Sequence, residues 1–341
     1  MPISELSTGK SSPYVHIQGK LAPAFNPNDL CKSWVVEWLD EKGYYPQASK
    51  ITGCGTKAVS LQCPNGHQKI VRTTCHLEIC PRCGQKGSLA HKKRYFRAVD
   101  RLIWAPVLGY MVFTLPREVS EAMPSKEQLG KIEKEAVRIV QDNFNAPGCM
   151  ARLHLMGEEI EHLHIHVNVL FPIIDTNGKG EVPQATLDNI KQHWTTFVNQ
   201  TFNLNKNCTN VFYKFATSQI KMRHKIKYVT RAVVVAEKFL SLPNEAKHWY
   251  LSLAGWHNTR WYGQLSNAKY KKYLKERGLD FIDHKEEDIA QAKKCPVCGE
   301  RYKFVEIIDV EDIPKNQFCQ IDHDVWVDLE TAAFLKNKAS P

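Results

Sequence analysis

No stretch of about 18 consecutive apolar residues occurs in this chain, which argues against a membrane-spanning helix. The opening, Met1-Pro-Ile-Ser-Glu-Leu-Ser-Thr-Gly-Lys10, is polar and lacks the apolar core of a signal peptide. A soluble, cytoplasmic protein with no membrane partner is therefore expected. No internal repeat of fixed period is present, which argues against a solenoid or propeller. Negative charge is in short supply: 36 Asp+Glu face 46 Lys+Arg, for a net charge of +10 and a pI near 9.0. That surplus favours a polyanionic partner, with nucleic acid the first candidate. Cysteine, in contrast, is plentiful at eleven residues, and in a reducing compartment cysteines are metal ligands more often than disulfides.

The 341 residues allow one main domain with smaller attachments. Residues 1–50 hold a Ser/Pro/Gly-rich tail and a short helical pattern over 30–39. Residues 51–100 form a cysteine-dense module that runs into a basic helical stretch at 86–101. The main domain is expected over 101–275. Its pattern is a buried strand from Val107 ended by Pro116, a helix over 126–143, strands around 151–156 and 162–171, and helices near 184–202 and 218–240. A charged linker at 286–294 leads into a second cysteine module, expected over 285–341. Strand, helix, hairpin, helix, helix predicts an α+β fold, an antiparallel sheet covered by helices, with zinc-binding modules at both ends.

The most informative segment is Glu161-His-Leu-His-Ile-His-Val-Asn-Val-Leu-Phe171. Side chains at i, i+2 and i+4 of a strand share one face, so His162, His164 and His166 line up opposite Leu163, Ile165 and Val167. A strand that buries one side and shows imidazoles on the other can hold a divalent ion, since neutral imidazole is a common ligand. The plainer alternative is a half-buried strand with solvent-facing histidines. A further ligand is sought on the adjoining strand, where His154 stands, with Glu158, Glu159 and Glu161 as alternatives. Such a set, leaving coordination positions open, suits Mg²⁺ or Mn²⁺ acting on phosphate oxygens.

Cys80-Pro-Arg-Cys83 and Cys295-Pro-Val-Cys298 are zinc half-sites, each needing a second pair of ligands. For the first, Cys63 and Cys75 are favoured as partners, with Cys54 and His67 competing. For the second, the expected pair is Cys319 and His323. Zn²⁺ here would be structural; reduced cysteines without metal are the alternative. Between these modules, Lys221, His224, Lys225, Tyr228 and Arg231 recur at helical spacing and place a phenol among cations. Cations favour phenolate and bind phosphate, so Tyr228 is a candidate nucleophile toward a phosphodiester. Alternatively the helix simply grips a nucleic-acid backbone. Trp261 and Tyr262 can stack unpaired bases or join the core.

Four elements, Val112-Phe-Thr-Leu-Pro116, Leu153-His-Leu-Met-Gly157, His162-Leu-His-Ile-His166 and Lys227-Tyr-Val-Thr-Arg231, resemble in order and spacing those of the HUH superfamily of single-strand DNA endonucleases. The resemblance covers about residues 54–266. It implies a metal held by His164 and His166 with His154 as third ligand and His162 flanking. It also implies a covalent 5′-phosphotyrosine at Tyr228, with Lys227, Arg231 and His224 around it, and a freed 3′-hydroxyl. His224 stands where some relatives carry another tyrosine, which implies a single-tyrosine enzyme. The glycine cluster that often follows the histidine strand in the related transposases is absent, which favours a rolling-circle replication initiator of a plasmid or phage over an insertion-sequence transposase. A non-catalytic zinc-dependent nucleic-acid binder remains a further alternative. With no Gly-x-x-x-x-Gly-Lys-Ser/Thr loop, the chain has no helicase of its own, so a host helicase and polymerase are implied as partners, with single- and double-stranded DNA as substrate.

Overall fold

The computed structural model describes residues 16–17, 20–21, 27–157, 162–174, 180–207, 210–253, 258–276, 278, 293–322 and 324–339. Among them, no helix is long and apolar enough to cross a membrane. The chain opens with a two-residue strand pair, β1 (His16–Ile17) and β2 (Lys20–Leu21), then α1 (Pro27–Glu41) and α2 (Tyr45–Thr52). Val35, Leu39 and Ile51 are fully buried, so these helices join the main core; the expected Ser/Pro/Gly-rich tail lies largely outside the described residues.

Strands β3 (Lys57–Gln62) and β4 (Gln68–Arg72) form a hairpin closed by Cys63-Pro-Asn-Gly-His67. Gly66 there has φ +89°, a conformation that suits glycine, and the Cys63 amide donates to the His67 carbonyl. After the cysteine loop comes α3 (Leu89–Leu102), capped by the Ser88 hydroxyl. Then follow β5 (Val107–Thr114), α4 (Arg117–Glu121), α5 (Lys126–Phe144), β6 (Gly148–Met156), β7 (Leu163–Ile173), α6 (Gln184–Phe202) and β8 (Val211–Ala216). Helix α5 begins where a capping box predicts it, with Ser125 and Gln128 bonding each other's backbone amides.

The single helix expected over 218–240 is two helices, α7 (Gln219–Val229) and α8 (Ala236–Ser241). Between them the backbone takes side-chain partners in place of helical ones: Arg94 donates to the Thr230 carbonyl, Arg152 to that of Arg231, and the Val233 amide donates to Glu78. The chain continues through α9 (Asn244–Ser252), β9 (Thr259–Gly263), α10 (Tyr270–Glu276), β10 (Lys303–Asp309), β11 (Phe318–Asp322), β12 (Val325–Asp328) and α11 (Leu329–Ala339).

Five strands in the order β8-β5-β7-β6-β9 make the central antiparallel sheet. Helices cover it on both sides, as the α+β reading expects. Odd-numbered β7 residues, Ile165, Val167, Val169 and Phe171, are wholly buried with Leu129, Ile132 and Val140 of α5 and Trp194 of α6. Burial of each such side chain stabilises the fold by about 1.5–3 kcal/mol. Gly109 on β5 is required by this packing, because a Cβ there would meet the Phe171 ring at 2.5 Å. The even-numbered face lies under α3, α7 and α10, with Leu108, Met150 and Leu170 against Val99, Ile226 and Leu274.

A second antiparallel sheet has the order β10-β3-β4-β12-β11. Two separate cysteine modules, over 51–100 and 285–341, were expected; their strands instead interleave in one sheet. Its apolar core is small, built of Ala58, Ile70, Ile313, Phe318 and Trp326. Neither contribution alone carries enough apolar surface for an independent fold.

Candidate active site

The pairing of β6 with β7 sets His154 directly opposite His166, and Arg152 opposite Asn168. Their ring centroids lie 5.1 Å apart, and those of His164 and His166 5.4 Å. All belong to the sheet face beneath α7. His154 is 1% exposed and His166 7%, whereas His164 looks outward. Burial first, then neighbouring positive charge, holds the His154 imidazole well below its usual range. Burial likewise lowers His166 to about 4. Both rings are therefore neutral at pH 7.

Their tautomers follow from their partners, since a carbonyl can only accept. His166 Nδ1 donates to the His164 carbonyl at 3.0 Å, which leaves Nε2 with a free lone pair. His154 Nε2 donates to the Val229 carbonyl at 3.0 Å, which leaves Nδ1. Neutral imidazoles, each fixed by a hydrogen bond through the other nitrogen, are chemically suited to a divalent ion. His162 stands apart from this set. It precedes β7 and contacts Arg117 at 3.1 Å and Glu121 at 3.7 Å. The alternative ligands Glu158, Glu159 and Glu161 lie outside the described residues.

Helix α7 runs over this face and carries Tyr228, 40% exposed. The Arg231 guanidinium donates to Tyr228 Oη at 3.2 Å and lies 4.2 Å from the centre of its ring. Tyr228, Arg231, His224 and Lys225 line one cleft of about 510 Å³ together with His164 and His166. Lys227, expected beside them, is exposed elsewhere on the helix, and its carbonyl accepts from His91. One residue from Tyr228 is about 100° of helix rotation, which moves Lys227 off the cleft face.

The end of α7 is held by a network that reading the sequence missed. His91, His154, Arg94 and Arg152 donate in turn to the carbonyls of Lys227, Val229, Thr230 and Arg231. Helix C-termini expose such carbonyls and attract positive charge. Arg152 is completely buried and pairs with Glu78 Oε1 at 2.7 Å. Burial would raise the Glu78 carboxyl, but Arg152 and Arg94 outweigh it and hold it below the usual carboxylate range. The available signal was Glu78 inside the cysteine knuckle and an arginine inside an apolar strand.

Cys54, Cys75, Cys80 and Cys83 bring their four sulfurs within 4.8 Å of one another, and Cys63, His67, Cys295 and Cys298 do the same with their ligand atoms. Sulfur separations of 3.5 Å for Cys54–Cys83 and 3.6 Å for Cys63–Cys298 approach the ~3.8 Å edge of a tetrahedral zinc–thiolate site. Both clusters can hold zinc. The ligand sets differ from the expected ones. Cys54, not Cys63, completes the first cluster. Cys63 and His67 instead meet Cys295 and Cys298, because the β3–β4 turn and the C-terminal knuckle sit together on the shared sheet. Cys319, on β11, belongs to neither cluster, and His323 lies outside the described residues. His67 Nε2 meets Glu330 at 3.3 Å, leaving Nδ1 toward Cys63 at 3.4 Å, the arrangement that orients a metal-binding imidazole.

Among the described residues these two are the groups with three or more ligand atoms so close; the histidines under α7 are a looser set. Comparison with protein-family models, curated proteins and solved structures finds no match to this chain.

Proposed function

We propose that this protein nicks and rejoins single-stranded DNA through a covalent 5′-phosphotyrosine at Tyr228, the chemistry of the HUH endonucleases that its motifs resemble. The observation that supports this most is the single cleft containing Tyr228, Arg231, His224, His164 and His166, residues separated by up to 67 positions in the chain. In this reading Tyr228 Oη attacks the scissile phosphorus; the new O–P bond forms as the bond to the 3′ oxygen breaks. The phenolic proton passes to His224, one helical turn earlier on the cleft face, and the departing 3′ oxygen takes a proton from solvent. Arg231 steadies the phenolate and the non-bridging phosphate oxygens. His164, His166 and His154 would hold a divalent ion, Mg²⁺ or Mn²⁺, which supplies Lewis-acid charge stabilisation when bound. Attack by a free 3′-hydroxyl on the phosphotyrosine reverses the step and joins strands.

Replication initiation and transposition share this chemistry, and the absence of a glycine cluster after the histidine strand favours initiation. The test is incubation with labelled single-stranded DNA and Mn²⁺, followed by denaturing electrophoresis. A covalent adduct is expected with the native chain and none with Tyr228→Phe. Cleavage that persists in Tyr228→Phe would replace this reading with hydrolysis by activated water.

A further inference from the structure

Register and exposure point to a second element of the same cleft. Strand β8 is an edge of the central sheet, and Phe212 pairs there with Val112. Paired residues share a face, so Phe212 projects on the side that carries Tyr110, His166 and α7. It lines the Tyr228 cleft, yet 46% of it is exposed. Cations accompany the cleft's aromatic rings: Lys214 Nζ lies 4.9 Å from the centre of the Phe212 ring, and Lys225 Nζ 5.3 Å from that of Tyr110.

Of the two roles open to Trp261 and Tyr262, stacking on bases or joining the core, the packing favours the second. Trp261 packs beneath Arg101 at 4.5 Å, and Tyr262 donates to the buried Glu133. An exposed phenyl ring with one lysine against it, in a cleft that also holds Lys225 and a tyrosine paired with arginine, matches an unpaired nucleotide: the ring offers a stacking face and the ammonium groups meet phosphates.

We propose that Phe212 is a stacking platform for an unpaired base of the strand bound next to Tyr228, with Lys214 moving from the ring to the adjoining phosphate. This rests on the reading of the cleft as a single-strand DNA site and adds a residue that distinguishes bases from bare backbone. The ring stacks on a base by dispersion and excluded water, so it tolerates any base and contributes affinity more than sequence choice.

Binding measured in the full chain carrying Tyr228→Phe isolates this claim from the chemistry. The probes are fluorescent oligothymidylate and an abasic deoxyribose-phosphate chain of equal length. Protein with Phe212 should prefer oligothymidylate by about 5- to 150-fold, the range for one stacked base. Phe212→Ala should lose that preference with unchanged affinity for the abasic chain and an unchanged melting temperature. Phe212→Trp should restore it, with indole fluorescence quenched by oligothymidylate and not by the abasic chain. Equal loss on both probes in Phe212→Ala, or a preference that survives it, overturns the proposal. Absence of binding to either probe by the Phe212 protein overturns the DNA reading itself, and this proposal with it.

Discussion

At the residue scale, the proposed chemistry rests on a phenol and the guanidinium beside it. Arg231 both donates to Tyr228 Oη and covers its ring, so its removal takes away a charged hydrogen bond and a stacking contact together. Exposed to solvent, this bond adds little to the stability of the fold, whereas a charged donor to the charge that develops in the proposed reaction is worth about 1.5–3 kcal/mol. Arg231→Ala is accordingly expected to slow adduct formation about 10- to 100-fold with little change in melting temperature, whereas Lys227→Ala should leave the rate near that of the native chain. Single-turnover kinetics on labelled oligonucleotide separates these; equal effects of both changes would place the catalytic face of α7 wrongly. The histidine face was legible in the sequence, because period-two alternation survives burial: Ile165 and Val167 are in the core, and His164 and His166 oppose them. His162 was not separable by that rule, since it keeps the phase of the strand but lies just before its start. The Glu78–Arg152 pair left no local pattern, its two residues being 74 positions apart.

At the element scale, α7 is positioned from its C-terminal end. Glu78 reaches Arg152 from the cysteine loop, and Arg152 reaches the Arg231 carbonyl, so the loop and the tyrosine helix are tied through one buried ion pair. Removing one partner leaves an uncompensated buried charge, which costs about 3–5 kcal/mol. Glu78→Ala should show that loss in denaturant unfolding; a change below about 1 kcal/mol would mean that water already screens the pair. Helix α5 contributes a different dependence. Burial raises the Glu133 carboxyl from 4.5 to about 7, against the hydrogen bond from Tyr262 and the charge of Arg260. Because the folded value lies above the unfolded one, its contribution is complete below pH 4.5 and is lost as pH rises through 7. The full difference is about 3 kcal/mol. Glu133→Gln should flatten the fall in melting temperature between pH 5 and 8, and an unchanged slope would remove Glu133 as its cause. The helix over 126–143 was readable from its apolar spacing, and its start coincides with the Ser125 cap. The break between α7 and α8 was not, because it is made by Arg94, Arg152 and Glu78 from distant segments.

At the scale of the whole molecule, segments from either side of the central sheet in sequence close on each other. Three strands of the second sheet come from beyond residue 300 and two from before residue 75, and the Cys63, His67, Cys295 and Cys298 cluster fastens them. Cysteine half-sites were legible as pairs, but a knuckle carries no mark of its partner. Proximity along the chain therefore suggested Cys319 and His323 where the fold supplied Cys63 and His67. Metal analysis should find two zinc ions per chain, one after Cys298→Ser, and two after Cys319→Ala; loss of an ion in Cys319→Ala would contradict this ligand set. These cysteine clusters, each able to hold zinc, lie on the scaffold, while the proposed activity depends on one phenol over the histidine face. The most direct measurement is mass spectrometry of peptides from the native chain after reaction with single-stranded DNA and Mn²⁺. The nucleotide mass should appear on the peptide containing Tyr228 and fragment to that residue. Cleaved DNA with no modified peptide, or with the nucleotide on another residue, would contradict the central claim.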